Sequence, residues 1–255
     1  MPYIALTMAI TINGQLLLCM LAEKLLEIPG LKMIQGNTDG ITVLLPRKYQ
    51  NRFDDTCAWW EVLTSMELEH AIYNRMFIRD VNNYIAEYDD ITKDNKRKGY
   101  YGYKVGDQEL EWHKDHSALI APKAAEAVLV DGADIREFIT QHDDDFDFCL
   151  RAKLPRSYKL MMDSWGRVRQ LQNTSRYYIS NSNKAGFLFK VMPPTPKQVS
   201  EGKTDDRHVN INSGWGAIEC NDMADFDRGN VDYEFYIQEA EKNILPLMNN
   251  FNESL

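Results

Sequence analysis

Apolar residues recur at helical spacing from the start of the chain. Ile4, Met8, Ile12 and Leu16 stand four apart, and Leu17, Leu21 and Leu25 extend the stripe, as one face of a helix requires. The pattern predicts a helix over 4–28, stopped by Pro29-Gly30. Asn13-Gly14 elsewhere marks a turn, but the periodicity runs through it. Thr7, Thr11 and Gly14 place small groups on another face, open to a close neighbour. The period then changes. Met33-Ile34 and Ile41-Thr42-Val43-Leu44-Leu45 are β-rich runs separated by Gln35-Gly36-Asn37-Thr38-Asp39-Gly40, which predicts a hairpin over about 31–45. A helix is expected over about 48–64, on Phe53, Cys57, Trp60 and Leu63, with strands over 66–72, 77–89 and near 97–104.

After about residue 112 the pattern turns more helical. Pro122 suits the first turn of a helix ending at Gly132. Asp134 reads as the N-cap of a short helix over 135–140. Residues 176–180 and 186–191 read as a second hairpin, and 193–214, with Pro193, Pro194 and Pro196, as a loop. A terminal helix over 232–248 carries Tyr233, Tyr236, Ile237, Ala240, Ile244 and Leu247 on one side. The expected class is α+β, with an antiparallel sheet and packing helices over 1–110 and a mostly helical part over 111–255.

At 255 residues and 44% hydrophobic, the chain holds one or two globular domains with a substantial core. A net charge of -9 argues against a histone-like DNA binder, yet nucleic-acid binding depends on local patches. Residues 93–104 carry Lys93, Lys96, Arg97, Lys98 and Lys104 against Asp94. Residues 151–169 carry Arg151, Lys153, Arg156, Lys159, Arg167 and Arg169 against Asp163. The acidic run Asp143-Asp144-Asp145 with Asp147 reads as a solvated loop rather than a hydrolase's metal cluster. Cys19, Cys57, Cys149 and Cys220 lack metal-ligand spacing, which fits a reducing, cytoplasmic setting. His113 and His116 have no third ligand at matching distance. The N-terminal apolar run has no basic flank, and Thr7, Thr11, Asn13 and Gln15 interrupt it. It reads as neither signal peptide nor membrane span.

The chemistry concentrates at Asp39. A carboxylate on a tight turn is well positioned, and Mg²⁺ is usually held by one or two carboxylates together with substrate phosphates. Asn37-Thr38-Asp39-Gly40, with its β-rich flanks, resembles motif C of the family B DNA polymerases in the version associated with bacteriophage enzymes. The order of features resembles the C-terminal portion of such an enzyme over nearly the whole chain. Ile10-Thr11-Ile12-Asn13-Gly14-Gln15 stands where the family has Ile-Thr-x-x-Gly-Arg, with Gln15 in place of the arginine. Asn82-Asn83-Tyr84 matches the tyrosine of a Lys-x-Tyr segment but lacks its lysine, and Lys96-Arg97-Lys98-Gly99 resembles the following Lys-x-Lys-Gly element. Trp112, the helix over 121–130, Phe146-Asp147-Phe148 and the basic segment 151–169 resemble the thumb.

The resemblance implies that Asp39 is catalytic as a Mg²⁺ ligand. It implies that Thr38, Tyr84, Lys96, Lys98, Gly99, Arg151, Lys153 and Arg156 contact primer–template DNA, with deoxynucleoside triphosphates as substrates. It also implies a palm over 1–110 and a thumb over 111–255. No segment resembles motif A with its aspartate, motif B with its lysine, or a proofreading exonuclease. The chain is therefore expected to be the second piece of a split or truncated polymerase, needing an N-terminal polypeptide that carries the exonuclease and motifs A and B. The rival expectation is a non-catalytic DNA-binding remnant or accessory module that keeps only the basic thumb.

Overall fold

The computed structural model describes residues 2–103 and 117–249; Lys104, Trp112, His113 and His116 lie outside the described residues. The fold is α+β, with six α-helices and eleven strands among the described residues. The chain divides into two compact units, Met1–Asn82 with Ala86–Asn95, and Asn83–Ile85 with Lys96–Leu255. The expected boundary at 110 falls outside the described residues, and Lys96–Lys98 groups with the second unit.

In the first unit, helix α1 (Pro2–Leu26) is unbroken through Asn13-Gly14. Its C-terminal half packs on α2 (Gln50–Thr64): Leu21 and Leu25 are buried with Ile28 and Leu31 against Cys57 and Trp60. Trp60 donates its indole N–H to the Leu17 carbonyl at 2.8 Å, which gives a buried indole the partner it needs. Further toward the N-terminus the helix is bare. Met8, Ile10, Ile12 and Leu16 are 57, 65, 48 and 62% exposed, and no charged side chain precedes Glu23. By length and composition Thr7–Leu26 is able to cross a membrane. In its second half, however, Leu21 and Leu25 are buried against α2, and the bare stretch before it is only about 15 Å long at 1.5 Å per residue, half of a ~30 Å hydrocarbon layer.

Strand β1 (Lys32–Gly36) pairs antiparallel with β2 (Ile41–Leu44) as a two-stranded sheet. Met33 faces Val43 and Gln35 faces Thr42, so Ile34 is an extra residue that bulges the strand. Residues 66–72 form no strand, and the single strand expected over 77–89 is two: β3 (Tyr73–Asp80) and β4 (Asn83–Tyr88). The Asp80 carboxylate accepts from the Asn82 amide at 2.9 Å, and such a local cap turns the chain. With β5 (Lys96–Lys98) they form a sheet of order β3-β4-β5.

The second unit overturns the mostly helical expectation for 111–255. Helices α3 (Ile120–Asp131), α4 (Ile135–Gln141) and α6 (Tyr233–Asn249) are present. Gly132 (φ +70°) ends α3, and the Asp134 carboxylate accepts from the Glu137 amide at 2.8 Å. Between α4 and α6 lies a six-stranded antiparallel sheet. Its strands are β6 (Leu150–Lys153), β7 (Lys159–Ser164), β8 (Arg167–Leu171), β9 (Thr174–Ile179), β10 (Gly186–Met192) and β11 (Arg207–Glu219), in the order β6-β9-β11-β10-β7-β8. Thus β9 and β10 are not hairpin partners, since β11 runs between them. Residues 193–214 are not a loop either. They hold a short helix, α5 (Pro196–Ser200), and the start of β11. The run His-Val-Asn-Ile-Asn-Ser-Gly-Trp-Gly is rich in residues that strands usually avoid, and pairing with β10 and β9 outweighs that preference. Leu160, Met162, Leu188, Tyr177 and Ile179 share a core with Ile120, Ile139, Tyr236, Ile237 and Ala240. The Tyr236 hydroxyl donates to the Phe148 carbonyl at 2.7 Å and accepts from the Ile179 amide at 2.9 Å.

Candidate metal-ligand hairpin and basic surfaces

The tip of the first hairpin is built by one side chain. The Asn37 Oδ1 accepts from the amides of Asp39 and Gly40, each at 2.9 Å, and the Asn37 amide donates to the Gly40 carbonyl at 3.0 Å. An Asx turn of this kind replaces backbone hydrogen bonds that a four-residue connection cannot make for itself. Thr38 and Asp39 are left exposed at the tip. Asn37 is therefore committed to the turn, and Asp39 is the carboxylate the turn displays. Just before the tip, the Gln35 amide nitrogen lies 3.5 Å from the Thr42 hydroxyl, while its buried Oε1 has no hydrogen-bond partner among the described residues.

Mg²⁺ takes oxygen donors, and the exposed donors at the tip, the Asp39 carboxylate and the Thr38 hydroxyl, are of that kind. Among the described residues no three His, Cys, Asp or Glu side chains are grouped to hold a metal. The hairpin thus fits one carboxylate ligand of a shared ion.

Apart from Thr38 at the hairpin tip, the expected DNA-contact residues belong to the second unit and fall into two groups. In β5 the alternation of side chains sends Arg97 one way and Lys96 and Lys98 the other. The Arg97 guanidinium is half-buried in a two-pronged pair with Glu126, at 2.5 and 2.7 Å, and the Tyr103 hydroxyl donates to the same carboxylate at 2.7 Å. Burial, reinforced by the Glu126 carboxylate, pushes the Tyr103 phenol well above its usual range. Gly99 (φ +64°) opens the turn after the strand. This Arg97–Glu126–Tyr103 arrangement has no sequence signature, because Glu126 is 29 residues from Arg97 and 23 from Tyr103. Tyr84 is only 5% exposed. It is a core residue, and its burial removes it from the set of surface contacts.

Arg151 and Lys153 alternate with buried Leu150 and Ala152 on β6, so both lie on the side of that strand facing away from the core. Arg156 is exposed in the turn that follows. The acidic run is only partly the solvated loop expected. Asp147 is 1% exposed and accepts from Lys123 Nζ and from His142 Nε2, both at 2.5 Å. Burial of a charge demands such partners. A hollow of about 480 Å³ between α3, α4 and α6, lined by Val128, Ile135, Ile244 and Leu245, contains none of these candidates. No protein-family model matches the chain, and no curated protein or solved structure matches it.

Proposed function

We propose that this chain is the C-terminal part of a DNA-directed DNA polymerase of the bacteriophage family B type. It would act in the host-cell cytoplasm with a second polypeptide that carries the exonuclease and motifs A and B. The observation that carries the reading is the exposed Asp39 carboxylate, presented by a hairpin whose turn Asn37 holds closed. A position this constrained suits a metal ligand, since misplacing a catalytic group by about 1 Å costs on the order of a hundredfold in rate.

Bound Mg²⁺ lowers the pKa of an attacking hydroxyl and neutralises charge on the transferring phosphate. Asp39 supplies one anionic oxygen ligand to such an ion. The second carboxylate of the pair comes from polypeptide outside the described residues. Lys96, Lys98, Arg151, Lys153 and Arg156 set positive charge against the phosphates of the primer–template, which positions DNA without reading its sequence. Tyr84, being buried, has no part in the contact. The exposed Met8, Ile10, Ile12 and Leu16 of α1 support a polypeptide partner, because a contiguous apolar patch in water marks an interaction site. The second reading is a DNA-binding accessory module without catalysis of its own, resting on the basic residues of β5 and β6.

The test is primer extension by the chain combined with a polypeptide bearing motifs A and B from the neighbouring reading frame. Asp39→Asn keeps the shape and removes the charge. It is expected to lower the rate by at least a hundredfold, several kcal/mol of transition-state stabilisation, with stability and duplex binding unchanged. Full activity of the variant, or polymerisation by the chain alone, contradicts the composite site.

A further inference from the structure

The six-stranded sheet carries a second surface with its own chemistry. Strand pairing places Phe187 opposite both Asp163 and Trp215, and Phe189 opposite both Met161 and Asn210. Residues directly opposite share a face, and this face is the reverse of the one buried by Leu160, Met162 and Leu188. On it the rings are ordered in pairs. Trp215 stacks on Phe187 with centroids 4.9 Å apart and planes at 23°, and His208 stacks on Phe189 at 5.5 Å and 24°. Trp215 remains 65% exposed, so the other side of its ring is open.

The backbone is bent to produce this. Trp215 owes its side to two register shifts in β11, one between Asn210 and Trp215, where Ser213 has φ +54°, and one at Gly216, where φ is +69° and an added Cβ would meet the Ser180 carbonyl at 2.8 Å. At the same end of the sheet, the β7–β8 turn puts Trp165 itself at φ +57° and leaves it 79% exposed. A bulky residue at positive φ is strained, and asparagine or glycine is the ordinary choice for such a turn. The indole N–H donates to the Asn183 carbonyl at 2.7 Å, which fixes the ring over the end of β10. Strain and exposure together signal a ring kept for contact rather than for packing.

Charge identifies the contact. Residues 159–192 contain Lys159, Arg167, Arg169, Arg176, Lys184 and Lys190 against Asp163 alone, in a chain of net charge -9. Arg167 and Arg169 lie on the reverse face, opposite Ser164 and Met162, and Arg169 is paired there with Glu219 at 2.6 Å, while Lys159 and Lys184 are exposed beside the aromatic rows. Open ring faces flanked by exposed lysines match a polyanion that carries its own flat rings and has them unpaired.

We infer that this face binds single-stranded DNA, with bases stacking on Trp215 and Trp165 and phosphates lying along Lys159 and Lys184. The choice of DNA over RNA rests on the polymerase reading; the stacking and charge arguments do not. The site uses none of the residues assigned to the metal or to the duplex contacts.

The experiment titrates the full chain with an oligothymidylate of about twelve nucleotides, within the span such surfaces cover, following tryptophan fluorescence and anisotropy. Quenching is expected for wild type, and an abasic oligomer of the same length should bind at least tenfold more weakly. Trp215→Ala and Trp165→Ala should each weaken binding about tenfold, while Trp215→Phe keeps most of the affinity and controls for folding. Blunt duplex binding should be the same in all variants. Equal affinity for the abasic oligomer, no quenching, or alanine variants that bind like wild type would overturn the site. Tighter binding of an oligouridylate than of oligothymidylate would overturn its assignment to DNA. None of these readouts requires polymerase activity, so the loss of one reading leaves the other standing.

Discussion

At the scale of single residues, the thiols show how burial sets chemistry. Cys19 is exposed on α1, whereas Cys57, Cys149 and Cys220 are buried. Burial first, then nearby carboxylates, raises the Cys57 thiol to about 11, and burial raises Cys149 to about 12. Cys220 is raised for the same leading reason. The thiolate is the reactive form, so at pH 8 a maleimide should label Cys19 rapidly and the other three only on unfolding, as mass spectrometry can read. The linkage has a definite sign. Between the unfolded thiol value near 8.5 and the folded values, the unfolded chain has lost protons that the native chain still holds, so stability falls as pH rises. Urea midpoints should therefore be flat just below pH 8 and decline from about 8.5 to 11. Cys57→Ser is a poor control, since it buries a hydroxyl without a partner. Cys57→Ala should remove its share of the slope. A midpoint independent of pH across that window in wild type would show that the thiols do not titrate differently on folding.

At the scale of elements, α1 is two structures in one helix. Its C-terminal half is held by α2 and by the Trp60–Leu17 hydrogen bond, while its N-terminal half has apolar residues in water. Truncating a packed leucine leaves a cavity, whereas truncating an exposed isoleucine removes nothing that packs. Leu25→Ala should cost about 2–5 kcal/mol and Ile10→Ala less than about 0.5 kcal/mol, measured by urea denaturation of the chain without a partner. A similar cost at both positions would mean that 7–16 is covered in solution. The hairpin makes the complementary point. Asn37 acts through the oxygen that accepts two amides, and Asp39 contributes nothing to the turn beyond its backbone, which leaves its carboxylate available.

At the scale of the whole molecule, a net charge of -9 repels DNA at long range, and binding must come from local cations that outweigh it within a Debye length of about 8–10 Å. Duplex affinity should therefore fall steeply with salt. Each phosphate contact accounts for nearly one unit in the slope of log affinity against log salt. Lys98→Ala should weaken duplex binding equally for unrelated sequences and flatten that slope by about one unit, as anisotropy titrations at several salt concentrations will show. An unchanged slope would take Lys98 out of the contact set.

The elements with a strong local signal were legible in the sequence. Helices α1, α2, α3, α4 and α6 and the first hairpin follow from periodicity, Pro and Gly stops, the Asp134 cap and the Asn-Thr-Asp-Gly turn, because each is stabilised by residues close together in the chain. The candidate carboxylate, Asp39, was legible for the same reason. What depended on partners far along the chain was not. The strand β11 is polar and glycine-containing, and only pairing on both edges makes it a strand. That insertion turned an expected hairpin of β9 and β10 into a six-stranded sheet. Tyr84 and Asp147 looked like surface residues because their types are common there; burial is decided by what packs over a position, and Lys123 and His142 had to arrive before Asp147 could be enclosed. The aromatic face likewise exists only in three dimensions. Its rings come from β10, from β11 and from the β7–β8 turn, and two register shifts in β11, one of them at Gly216, determine which way Trp215 points.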